Sequence, residues 1–287
     1  MTSSLTFRTA PAMDEPVVVS PAGSLLLWLL ASAVMLAASF VAHGWLRQVQ
    51  RAPAPLNAWR GLLLAALTLG TGLCASFVIE LTSQGLPFAI GYKATAAAVL
   101  LALAVGGCLL AFCLLAWRPG WPANVLAGGA VAGTALGVQT GWIQAAGFRP
   151  GTAWNTAYLW AAAAIMVMGL VCAYALAHVQ TALSSLGRMG WRIAANVIAA
   201  LSLVAGQELV VTGAHLGTQT GTVYAHQLSA PVLTLVSGAV LPLVLLVLGV
   251  DLFLRREVKR HRSRDAGASL SDDRPRRQKK RHRSNRF

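Results

Sequence analysis

Seven long apolar blocks, separated by short polar segments, set the pattern of this chain: Ser24–Trp45, Gly61–Ser83, Ala94–Trp117, Val125–Ala146, Asn155–His178, Ile193–Ala214 and Pro231–Leu254. A hydrocarbon core about 30 Å thick takes roughly 20 helical residues at about 1.5 Å each, so every block predicts a transmembrane helix. The expected fold is all-α: a polytopic membrane protein with seven transmembrane helices. It divides into a short exterior segment over 1–21, a seven-helix domain over 22–254 and a basic, disordered cytoplasmic tail over 255–287.

Composition agrees, since 56% hydrophobic and 11% charged residues would make a poor soluble surface. The net charge of +14 points first to nucleic acid, yet fourteen of the twenty-three Lys and Arg lie from Arg255 onward, leaving nine for the rest of the chain. Six of those nine, Arg47, Arg51, Arg60, Arg118, Arg188 and Arg192, follow blocks one, three and five; Arg8, Lys93 and Arg149 precede block one or follow blocks two and four. The positive-inside rule therefore puts the N-terminus outside and the tail in the cytoplasm. Asp14 and Glu15 interrupt the leading segment and argue against a cleaved signal peptide. In the tail, Arg255, Arg256, Lys259, Arg260 and Arg262 are expected to hold anionic lipid headgroups at about 1 kcal/mol per cation. No nucleic-acid partner is expected, because the cluster lacks interleaved aromatics.

Glycines within the blocks (Gly70, Gly72, Gly106, Gly107, Gly128, Gly129, Gly133, Gly137 and Gly238) are expected at close helix contacts, with Gly129, Gly133 and Gly137 on one face of the fourth block. Cys74, Cys108, Cys113 and Cys172 all fall inside blocks and read as small buried packing residues. Trp45, Trp117, Trp121, Trp154, Trp160 and Trp191 cluster at block ends, as interfacial aromatics do. Pro242 predicts a kink in the last block, and Asp251 a local ion pair with Arg255.

Blocks two, four and six repeat one another. Each has a glycine-containing start and then polar residues near its outer end: Gly70 to Leu81, Gly133 to Gln144, and Val204 to Ala214. The expectation is three degenerate helix-pair repeats, with Glu80, Gln144 and Glu208 at related positions.

The stretch Gly70-Thr71-Gly72-Leu73 through Leu86-Pro87-Phe88-Ala89-Ile90-Gly91-Tyr92, together with Thr212-Gly213 and Ala146-Gly147-Phe148-Arg149-Pro150, resembles the MHYT-domain bacterial integral membrane proteins. The resemblance covers roughly residues 22–254. It implies seven spans in the inner membrane, an exterior N-terminus, and a sensory module whose Met and His residues bind a metal, copper being the family's proposed ligand. In this chain Ser76-Phe77, Thr140-Gly141 or Gly141-Trp142, and Leu209-Val210 stand where the three Met-His pairs belong. Apolar side chains offer a metal no lone pair, so the copper site does not carry over and the cofactor stays open.

Glu80 and Glu208 are the acidic residues of the first six blocks, and an ionisable group in a span is a functional candidate by default. A ligand pocket is expected from Glu80, Gln144, Gln207, Glu208 and His215. No metal site is assigned: Glu208 and His215 are seven residues apart, about two helical turns. His43 and His178 near inner ends read as locally hydrogen-bonded groups, as does His226 in an exterior loop. Phosphate-loop, zinc-protease, nucleophile-elbow and Cys-x-x-Cys motifs are missing, so no enzyme is expected. A stand-alone sensory or ligand-binding module signalling through a separate cytoplasmic partner is the first reading. The alternative is a transporter or channel with Glu80 and Glu208 on its pathway.

Overall fold

The computed structural model describes residues 5–7, 17–19, 24–50, 55–84, 90–117, 120–149, 152–179, 185–216, 221–222, 224, 227–251 and 254. Each apolar block is a helix: α1 Leu25–Val49, α2 Pro55–Ser83, α3 Ala94–Trp117, α4 Trp121–Ala145, α5 Thr156–Val179 and α6 Ser185–Gly213. The last, α7, opens as Ala230–Leu235, passes through a π turn at Val236–Val240 and continues helical over 241–251. The molecule is an all-α polytopic membrane protein. Among the described residues six helices are long and apolar enough to cross a bilayer, where the apolar blocks predicted seven. The exception is α4, which at 25 residues matches α1 in length. Asn124, Gln139, Thr140 and several glycines dilute its apolarity.

Hydroxyl groups on the helices are largely satisfied within their own turns. Thr68, Thr71, Thr134, Thr140 and Thr212 each donate to the carbonyl four residues back. An unpaired hydroxyl in hydrocarbon costs several kcal/mol, so local back-bonding is the cheapest solution available to a helix. In α7, Pro242 has no N–H to donate, and the preceding Leu241 N–H reaches five residues back to the Val236 carbonyl in a π turn.

Helices α1 to α6 form a ring in chain order, each contacting the next, with α6 closing on α1. The most extensive packing is α1 on α2, α3 on α4 and α5 on α6. The repeat therefore pairs each polar-ended helix with the helix before it, not the one after. Across the ring α4 contacts both α2 and α6, so the three repeated helices share the interior. Helix α7 lies against α1 and α2, where Thr82 Oγ1 and Thr234 Oγ1 are 2.9 Å apart. By contact density Met1–Leu245 is one compact unit, and the chain from Leu246 onward is another.

Some of the expected glycine contacts are present. A Cβ on Gly70 would come within 2.8 Å of Val105 N, and one on Gly128 within 2.8 Å of the Val171 side chain. Gly106, Gly129, Gly133 and Gly137 face open space, so the α4 stripe lies on the outside of the bundle rather than at a helix contact. Cys74, Cys108 and Cys113 are buried as expected, whereas Cys172 is exposed. Trp117, Trp121, Trp160 and Trp191 are exposed at helix ends, but Trp45 is buried at 3% exposure. His43 is also buried, and its Nδ1–H donates to the Ser39 carbonyl at 2.8 Å.

Short antiparallel ribbons tie one end of the bundle. Strand β3 (Gly91–Tyr92) pairs with β8 (Leu228–Ser229), β4 (Phe148–Arg149) with β7 (Gly221–Thr222), and β5 (Thr152–Trp154) with β6 (Ala214–Leu216). The α6–α7 connection is thus laced to both the α2–α3 and the α4–α5 connections. The N-terminal hairpin of β1 (Leu5–Phe7) and β2 (Val17–Val19) contacts β6 at the same end.

Candidate functional site

Glu80 on α2 and Glu208 on α6 lie close enough inside the bundle for their carboxyl groups to interact. Glu80 is 1% exposed and Glu208 is partly buried. Glu80 lies three residues before the end of α2 and Glu208 five before the end of α6, a depth of about 4 to 8 Å below the ribbons. Glu80 Oε1 and Glu208 Oε2 are buried without a partner.

One turn deeper, the same two helices are joined again. Ser76 lies four residues before Glu80 on the same face of α2, and Gln207 immediately precedes Glu208. Gln207 Nε2 donates to Ser76 Oγ at 2.8 Å, while the Ser76 hydroxyl donates to the Leu73 carbonyl at 3.3 Å. Gln207 Oε1 is buried and unpartnered, on a residue of 0% exposure. The α2–α6 seam is therefore lined by three open acceptor oxygens.

Of the five expected ligand residues, the structure brings together Glu80, Glu208 and Gln207. Gln144 is exposed and belongs elsewhere: it lines an open cleft of about 430 Å³ with Lys93, Thr95, Leu100, Gly141 and Tyr224, between the ribbon ends of α3 and α4. His215 is not a helix residue at all. Helix α6 ends at Gly213, and His215 sits on β6 opposite Ala153, so the two-turn spacing from Glu208 does not apply. Arg255, Arg256, Lys259, Arg260 and Arg262, and also His226, lie outside the described residues. Among the described residues no group of three His, Cys, Asp or Glu side chains is placed to hold a metal.

The residue that the sequence pattern missed is Gln139. It is 1% exposed, with both amide atoms unpartnered, and with Asn124 it is one of two buried amide side chains on α4. It lies five positions from Gln144, about 140° around the helix, so the two glutamines cannot share a face. Three residues on, Trp142 stands edge-on to Tyr92 with ring centroids 5.1 Å apart, closing the α4 side beneath β3. The Tyr92 hydroxyl is buried without a partner, and burial holds its proton well above the ordinary phenol range.

In comparisons with known proteins, no family model, curated protein or solved structure matches this chain.

Proposed function

We propose that this chain is a stand-alone ligand-sensing membrane module, similar in plan to the MHYT sensory domain, that passes its signal to a separate cytoplasmic partner. The observation that carries this reading is the buried contact between Glu80 and Glu208, which couples two helices across the ring close to the ribbon end. A ligand entering between them must change the spacing of α2 and α6, and both helices continue through the bundle to its far end. The unpartnered atoms at the seam are all acceptors, so the fitting ligand is a small cation or a hydrogen-bond donor. In this reading the ribbon end faces the exterior of the inner membrane, and the basic tail lies on anionic lipid in the cytoplasm. The sorting of cations along the chain supports that orientation.

The transport alternative needs polar groups continuing along a path. At the far half of the bundle, His43 is engaged by the Ser39 carbonyl of its own helix, which favours sensing.

The test uses the full chain in vesicles, with Cys172→Ala as background and spin labels at Trp59→Cys on α2 and Met189→Cys on α6, both exposed positions. Ammonium, alkali and alkaline-earth ions and a small organic amine are presented in turn to the ribbon side. At least one is expected to change the label separation without net uptake, and the Glu80→Gln, Glu208→Gln double variant should not respond. Uptake that Glu80→Gln abolishes would establish the transporter instead.

A further inference from the structure

The open cleft between the ribbon ends of α3 and α4 takes no part in the α2–α6 seam, and its lining is sorted by depth. Lys93 immediately precedes α3 and Gln144 lies in the last turn of α4, whereas Val99, Leu100 and Gly141 are about one turn further in. Its roof is held in place by the α6–α7 connection. Tyr224 packs on Gly147, whose backbone is left-handed at φ 63° and whose added Cβ would come within 2.7 Å of the tyrosine ring. Gln227 Oε1 accepts from the Ala94 N–H at 3.4 Å, pinning the same connection to the start of α3. Among the described residues no acidic side chain lines the cleft, and neither the Lys93 ammonium nor the Gln144 amide has a partner. A cation and an amide thus stand open above an apolar slot.

The slot continues inward. Gly141, Gly137 and Gly133 follow Gln144 at spacings of three and four, and so lie on its face of α4. A Cβ on Gly137 or Gly133 would meet nothing within 4 Å. From Gly141 to Gly133 the helix descends about 12 Å. On α3, Leu103 follows Val99 by one turn, and the two side chains are 59% and 58% exposed. Bare backbone on one helix and exposed aliphatic side chains on the other extend the apolar part of the cleft toward the middle of the bilayer.

We infer that this cleft is a binding site for an anionic phospholipid of the ribbon-side leaflet. Lys93 holds the phosphate, the Gln144 amide N–H donates to the phosphate or ester oxygens, and one acyl chain lies along Val99, Leu103 and Gly137. Charge complementarity and the polar-to-apolar order together select this occupant. A free phosphate ester would match Lys93 but leave the apolar slot unfilled, and an uncharged chain would fill the slot but leave the cation unmatched. The aliphatic stem of Lys93 lies at the level where a lysine keeps its carbons against apolar surface and its charge among headgroups. The site is separate from the Glu80–Glu208 seam and stands whether or not the sensing reading holds.

The full-length chain is reconstituted in phosphatidylcholine nanodiscs containing a trace of phosphatidylglycerol with a diazirine midway along one acyl chain. After illumination the crosslinked peptides are mapped by mass spectrometry. Crosslinks are expected to concentrate within 94–106 of α3 and 130–141 of α4, and excess unlabelled phosphatidylglycerol should displace them where phosphatidylcholine does not. Lys93→Gln should lower them about fivefold, the factor one juxtamembrane cation supplies, and Lys93→Arg should restore them. Gly137→Leu, which fills the slot, should lower them as well. Lipid drawn to the basic tail is common to every variant and drops out of the comparison. Labelling spread evenly over the exposed apolar helices, equal displacement by phosphatidylcholine, or crosslinks unchanged in Lys93→Gln would overturn the site. Soluble glycerol phosphate that displaces the probe as well as phosphatidylglycerol does, mole for mole, would assign the cleft to a free phosphate ester and overturn the lipid. If a variant fails to fold, the wild-type crosslink map and its competition decide the matter.

Discussion

At the scale of single residues, buried polar atoms without a partner are spread through the bundle, on Ser32, Asn124, Gln139 and Tyr174 as well as at the α2–α6 seam, while many hydroxyls are satisfied within their own turns. Ser76 shows how that is organised, since it both receives Gln207 and donates to Leu73. Ser76→Ala should cost about 1 to 3 kcal/mol, because it strands a buried amide N–H; adding Gln207→Leu should recover most of that loss, as removing both partners of a buried bond is nearly neutral. A double-mutant cycle in detergent unfolding measures this, and additive losses would mean that the two side chains do not act as a pair. The same logic explains why Glu80 and Glu208 were recognisable from the sequence. A carboxyl in an apolar block stands out whatever its partner. Gln139 was passed over because an amide is a weaker signal, and nothing in the run Gly137-Val138-Gln139-Thr140-Gly141 says which side faces inward.

At the scale of helices, contact depends on which glycines meet a neighbour. Gly70 faces backbone atoms of α3 that cannot move aside, with Ala104 C 2.9 Å from a Cβ placed on it. Gly70→Ala is expected to destabilise by about 1 to 3 kcal/mol. Gly133→Ala and Gly137→Ala meet open space and should each be neutral or stabilising by up to about 1 kcal/mol, through helix propensity alone. Thermal unfolding of the three variants in one detergent checks the contrast, and an equal loss at all three would contradict the outward placement of the α4 stripe. Regular four-residue spacing had suggested the opposite. Spacing fixes that three residues share a face, but only the neighbouring helices α3 and α5 decide whether that face is used.

At the scale of the whole molecule, the ring of six helices with α7 against α1 and α2 requires the connections after α2, α4 and α6 to share one end, and the ribbons show that they do. Reporter fusions at 118–119 and at 150–151 should therefore read opposite sides of the membrane, cytoplasmic and exterior respectively; the same side for both would mean that α4 does not cross. The position of each helix along the chain was legible in the sequence, because apolarity is a property of each residue and sums along the chain regardless of fold; α4 falls short of span-forming apolarity, so the count of seven spans did not follow from it. Also legible was the presence of two carboxyls within the first six apolar blocks. Rotation of each helix about its axis was not, because lipid and protein interior are both apolar and leave no amphipathic stripe to read. Tertiary packing alone turned Gln139 inward and Gln144 outward, ended α6 before His215, and brought Glu80 against Glu208. Which polar groups meet depends on neighbours more than a hundred residues away, and no local pattern in the chain encodes that.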